Sequence, residues 1–183
     1  KHALYAANVS GDGTDVLERA YFAKEAGDTA LMVATGLVGS GWLHKLATDE
    51  KLRLPIIHHP AYSGGFVSPG VSGIADYLQL GFLPRLFGAD MMVFVSYGGR
   101  FTFTQEQCKR IAAYIKHPVG LVKAGCPAPG GGVTDARLTE LVELYGNDTM
   151  FLVGGDMFRR GPDLESNMAY FVNRLEELSQ LKQ

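Results

Sequence analysis

CPAPGGGVTDARLTELVELYG (126–146) and FLVGGDM (151–157) put glycine runs at Gly130, Gly131 and Gly132 and again at Gly154 and Gly155. Glycine loses more backbone freedom on folding than any other residue, so such runs weaken helices and strands. Something at both points needs bare backbone. Each run follows a strand-like stretch and precedes a helical one. Thr134 is placed to cap a helix whose Leu138, Leu141, Val142 and Tyr145 recur at i, i+3, i+4 and i+7, with Gly146 just past its end. In parallel α/β folds this strand-to-helix edge is where ligands bind. Glycines there let backbone N–H groups approach an oxyanion, and the helix N-terminus adds positive potential. The plainer reading, that the glycines only make tight turns, stays open at this stage.

The same alternation extends along the chain. Apolar runs at 3–9, 29–35, 54–59, 90–96, 119–125 and 149–155 are continuous, as in parallel strands covered on both faces. Between them, Thr14 or Asp15 can cap a helix with Val16, Ala20 and Ala23 on one face and Gly27 at its end. Thr104 and Gln107 form a capping-box pattern, and a last helix from Pro162 should bury Met168, Phe171, Val172, Leu175 and Leu178. Six βα units predict an α/β fold with parallel strands. An eight-unit barrel would lack two units. A doubly wound sheet would be complete with six, but no GxGxxG follows the first strand.

Composition narrows the function classes. With 183 residues, 46% of them hydrophobic, the chain can bury a substantial core. A net charge of -2 gives no electrostatic reason to expect nucleic acid or an anionic membrane as partner. Two cysteines, Cys108 and Cys126, make no disulfide framework and no CxxC, which fits a reducing, cytoplasmic setting. No apolar run is long enough to span a bilayer. The chain enters a strand-like run without a methionine, as a processed chain or a piece of a longer one would.

Further candidates share the strand-to-helix edge. His58 and His59 end the third strand, and alternation lets only one of them face inward. A histidine there can act as acid, base or metal ligand, or be a core histidine held by hydrogen bonds. Arg100, in the SYGGRF stretch (96–101), can fork onto a phosphate or carboxylate, or pair at the surface. Lys123 would be costly inside a barrel unless paired or catalytic. Asp156, Arg159 and Arg160 read as a solvated loop. No complete metal-binding pattern, GxSxG elbow or Walker sequence is present.

Taken together, ALYAANVSG, IIHHPAYSGGF, VFVSYGGRFTF, CPAPGGGVTDARLTELVELYGND and FLVGGDMFRRGP resemble the C-terminal barrel of the ribulose-bisphosphate carboxylase (RuBisCO) large-subunit superfamily. The likeness is closer to its form IV, the RuBisCO-like proteins. It implies a partial TIM (β/α)8 barrel, units three to eight, with CPAPGGG as the seventh strand. An N-terminal α+β domain and two barrel strands would then lie outside residues 1–183. It also implies that His59 is the active-site histidine and that Gly131, Gly132, Gly154 and Gly155 clamp a phosphate.

Two departures stand out. True carboxylases carry a lysine in the sixth loop, where this chain has Arg100, and a substrate-contacting serine where it has Gly130. The resemblance therefore implies not carbon fixation but Mg²⁺-dependent enolisation, with isomerisation or decarboxylation, of a phosphorylated sugar-derived ketone or keto acid. Mg²⁺ ligands are expected upstream of Lys1, with none in this chain, and a homodimer is expected to complete the site. Residues 1–183 alone should be inactive. The YGGRF loop and PDLESN ending lean away from the methionine-salvage enolase. A non-catalytic phosphometabolite-binding barrel and an authentic carboxylase are the alternatives.

Overall fold

The computed structural model describes residues 3–67 and 73–180. In chain order the elements are β1 (Ala6–Asn8), α1 (Val16–Ala26), β2 (Ala30–Val33), α2 (Thr35–Val38), α3 (Ser40–Ala47), β3 (Ile56–His58) and α4 (Gly64–Val67). A π-helical turn (Leu78–Phe82) then runs into α5 (Leu83–Leu86), followed by β4 (Met91–Val95), α6 (Gln105–Lys116) and β5 (Cys126–Gly130). A 3₁₀ turn (Asp135–Arg137) leads into α7 (Leu138–Tyr145), and α8 (Gly154–Arg159) and α9 (Leu164–Gln180) complete the order.

The strands form one parallel sheet in the order β1-β2-β3-β4-β5. A doubly wound sheet would reverse direction at its middle; this one does not. Strand alternation divides the core into two layers. Leu31, Val33, Ile56, Met92 and Phe94 pack against the helices, with Ile111, Ile115, Leu138, Leu141 and Phe171. Ile57, Val93 and Ala128 form a smaller cluster on the opposite face, with Ala6, Met32, Met91 and Met150 around it.

The fifth predicted strand is displaced. Residues 119–125 form a loop with one antiparallel bridge, Val119 to Val122, and the strand is Cys126–Gly130. Lys123 is therefore an exposed loop residue, and its carbonyl accepts a 2.7 Å bond from Arg85. Pro127 and Pro129 hide the strand from propensity rules, since proline lacks an N–H for the ladder. Alternate residues bond opposite neighbours, which makes both prolines tolerable. Cys126 donates to Asp90 and Gly130 accepts from Ser96, completing the β4 side. The prolines face the other way, where their carbonyls accept from Met150 and Leu152. That side has acceptors but two missing donors. The sixth predicted strand, 149–155, is correspondingly reduced to one parallel bridge, Gly130 to Leu152, and Gly154 and Gly155 open α8 instead of ending a strand.

Helix ends follow the sequence closely at some points. The Thr104–Gln107 capping box forms, and Gly27 ends α1 at a φ of 98°. Asp15 precedes α1 without a side-chain cap bond and pairs with Arg19 at 2.8 Å. Helix α9 begins two residues after Pro162, where Asp163 accepts from the Ser166 amide. It buries Phe171 and Leu178, but Met168 is exposed and Asn167 takes an inner position. Among the described residues no helix is long and apolar enough to cross a membrane.

Candidate functional site

A cavity of about 940 Å³ opens at the C-terminal ends of β3, β4 and β5. His59, Arg100, Gly130, Gly131, Gly132 and Gly155 all line it, so residues from four segments far apart in sequence meet there. Gly154 is not on its wall, although it adjoins Gly155 in the first turn of α8.

The two histidines part as alternation requires. His59 extends the β3 ladder, its amide donating to the Val33 carbonyl at 2.9 Å, and lies on the cavity wall. His58 is fully buried against the helix layer, with Nε2 2.9 Å from the Thr35 hydroxyl. Burial, and secondarily the neighbouring His59, pushes the His58 pKa down to about 4, so His58 stays neutral. Burial also lowers the pKa of His59. The Nδ1 of His59 accepts the Ala61 amide at 3.1 Å, which leaves Nε2 as the proton-bearing nitrogen of the neutral ring. A neutral imidazole held this way can donate to an oxygen on which charge develops.

The glycines separate into three kinds. At Gly99 and Gly132 there is no room: a Cβ on Gly132 would lie 2.7 Å from the Gly99 nitrogen. Gly131 has room but a φ of 78°, which disfavours any other residue. Gly154 and Gly155 have neither constraint, since an added Cβ would meet nothing within 4 Å and their φ is not in the left-handed region. Among the described residues, the amides of Gly131, Gly132, Gly154 and Gly155 make no loop hydrogen bond. The helical turn after Thr134 contributes less than its sequence promised. Thr134 makes no side-chain cap bond, and the Asp135 amide is already bonded at 2.8 Å to Asp156 of α8.

Asp156 and Arg159, which the sequence suggested were solvated, stand on the cavity wall and pair at 2.8 Å. The Asp135 amide, more than Arg159, holds the Asp156 carboxyl below its ordinary pKa. Arg100 stacks 4.9 Å from the Phe101 ring centroid and has no ion pair among the described residues. Tyr62 went unnoticed in the sequence. It lines the cavity at a φ of 63°, unusual for a residue with a side chain, and its loop packs so tightly on Gly36 that a Cβ there would collide with the Ala61 carbonyl. Nothing in the pattern PAYSGG distinguishes that backbone angle from an ordinary turn. Among the described residues, no group of three or more His, Cys, Asp or Glu side chains is placed to hold a metal ion. The Mg²⁺ implied by the resemblance finds no donor set here.

No protein-family model matches the chain. It is 34% identical over 169 residues to ribulose bisphosphate carboxylase-like protein 1 of Rhodopseudomonas palustris, covering 92% of this chain and 44% of that one. The crystal structure of a RuBisCO-like protein from Rhodopseudomonas palustris superposes with a TM-score of 0.82 at 34% identity, over 96% of this chain and 45% of that one. The chain belongs to the RuBisCO-like proteins. The 2,3-diketo-5-methylthiopentyl-1-phosphate enolase of Exiguobacterium sibiricum is also 34% identical, over 85% of this chain and 39% of its own length. Identity therefore does not favour leaning away from that enolase. The chain spans less than half the length of these relatives. The likeness to RuBisCO-like structures implies that the parallel sheet is part of a barrel wall, with the glycine cavity at its C-terminal mouth.

Proposed function

We propose that the protein containing this RuBisCO-like chain enolises a phosphorylated sugar-derived ketone or keto acid and does not fix CO₂. Residues 1–183 would supply units three to eight of the barrel. A preceding α+β domain, the two remaining strands and a second subunit would complete the site. The observation that carries this reading is the character of Gly154 and Gly155. Neither packing nor backbone angle requires glycine there, and Gly155 borders a cavity shared with His59. Open space over free amides at a strand-to-helix edge suits a phosphate.

In this reading the glycine amides and Arg100 bind the phosphate, and Nε2–H of His59 donates to the carbonyl oxygen. As a proton leaves the adjacent carbon, charge moves onto that oxygen and the hydrogen bond strengthens. The proton needs a base from elsewhere, because Asp156, the one carboxylate on the cavity wall among the described residues, is engaged by Arg159 and the Asp135 amide. The family's metal would likewise draw its ligands from outside the described residues. The absence of a sixth-loop lysine beside Arg100 supports enolisation without CO₂ addition.

The named substrate of the Exiguobacterium relative provides the test. Full-length protein incubated with 2,3-diketo-5-methylthiopentyl 1-phosphate in D₂O should exchange the proton next to the carbonyl, followed by NMR. Exchange with that ketone or another phosphorylated sugar-derived ketone supports an enolising enzyme. Binding of these ketones without exchange or turnover would identify a non-catalytic binder.

A further inference from the structure

Two loops line the cavity side by side, one after β4 at Gly98 and Gly99, the other after β5 at Gly131 and Gly132. Their backbones touch: a Cβ on Gly99 would lie 3.0 Å from the Gly132 nitrogen. One side chain bonds both. Arg137, at the end of the 3₁₀ turn, directs Nη1 to the Tyr97 carbonyl at 2.8 Å and to the Gly132 carbonyl at 3.0 Å. Its guanidinium carbon lies 4.4 Å from the Tyr97 ring centroid, and its Nε pairs with Glu140 at 3.3 Å. Gly98 lies flush against it, since a Cβ there would sit 2.5 Å from Nη1.

We propose that Arg137 is a positioning residue for the anion site, joining the two glycine loops through one nitrogen and so aiming their amides. The inference rests on reading the cavity as a phosphate site. In a trans peptide the C=O and the following N–H point opposite ways. Turning the Tyr97 and Gly132 carbonyls toward Arg137 therefore turns the Gly98 and Val133 amides away from it. Both residues line the cavity, and among the described residues neither amide has a loop hydrogen bond. The guanidinium is planar and can bond two carbonyls while stacking on a ring, a combination an ammonium group cannot reproduce.

The test measures inorganic phosphate binding by calorimetry on the full-length protein, with thermal melts alongside. Arg137→Lys retains the charge, so any loss it shows reports geometry. Arg137→Lys and Arg137→Gln should both weaken phosphate binding about tenfold, the scale of one hydrogen bond to a charged group. Arg110→Gln is the control for general loosening. Arg110 also stacks on a tyrosine, Tyr77 at 4.8 Å, and pairs with a carboxylate, Asp76 at 3.1 Å, but it is not on the cavity wall. This variant should bind phosphate within about twofold of wild type. Folded Arg137→Lys protein with wild-type affinity overturns the positioning role alone. So does an equal loss in Arg110→Gln. Wild-type protein that does not bind phosphate overturns the phosphate reading, and this inference with it.

Discussion

Replacing Gly155 by alanine should raise stability and lower affinity at once. Gly155 is the second residue of α8, its φ is open to alanine, and the new methyl would have nothing within 4 Å. Alanine restricts the unfolded chain and suits a helix, so Gly155→Ala should stabilise the ligand-free protein by about 0.5–1 kcal/mol. With phosphate bound, the same methyl occupies space over the amides. Loss of one hydrogen bond to a charged group costs about 1.5–3 kcal/mol, or roughly 10- to 150-fold in affinity. Calorimetry with a phosphorylated ketone and its dephosphorylated analogue separates this from a general defect, because only the first should lose affinity. Urea unfolding of the ligand-free protein gives the stability term. Equal losses for both ligands, or a destabilised variant, would falsify the phosphate assignment and return these glycines to the role of turns.

The remaining predictions concern the two histidines. His59→Ala in the full-length protein should lower kcat/KM for proton exchange by about 100-fold, the lower range for a positioned proton donor; an unchanged kcat/KM in folded protein removes His59 from the site. His58 should make the protein acid-sensitive. Its folded pKa, about 4, lies below the ordinary histidine value of 6.5, so as pH falls below 6.5 the unfolded chain takes up a proton that the folded chain refuses. Stability from this group is complete above pH 7 and falls across the window from 6.5 to 4, by about 2 kcal/mol at pH 5 and about 3 kcal/mol at pH 4. His58→Gln should flatten that slope in urea titrations, and identical slopes for variant and wild type would refute the assignment.

How far the sequence could be read follows from the physics each residue reports. Burial repeats along a strand, so the continuous apolar runs marked β1 through β4 and showed that the sheet is parallel. The fifth run misled for the same reason. Apolar residues at 119–125 suggested a strand, while the true one held two prolines whose missing donors face a neighbour that bonds only to their carbonyls. Propensity cannot see which side of a strand a proline faces. The resemblance assigned the strand to CPAPGGG because it compares whole motifs.

The glycines show the same limit at the candidate site. Five of them stood out in the sequence as one signal, yet Gly132 is required by the close approach of another loop, Gly131 by its backbone angle, and Gly155 by neither. Only neighbours distant in the chain make that distinction. Arg137 was invisible for a related reason: its spacing to Glu140 reads as an ordinary helical ion pair, and the carbonyl of Tyr97, forty residues away in sequence, gives it a second role. A residue whose local pairing already explains it gives the sequence no reason to look further. Of the five glycines that stood out in the sequence, Gly130 and Gly132 are crowded and Gly131 is fixed by its backbone angle, which leaves Gly154 and Gly155 at the start of α8 without either reason. That is where a ligand's contribution should be sought first.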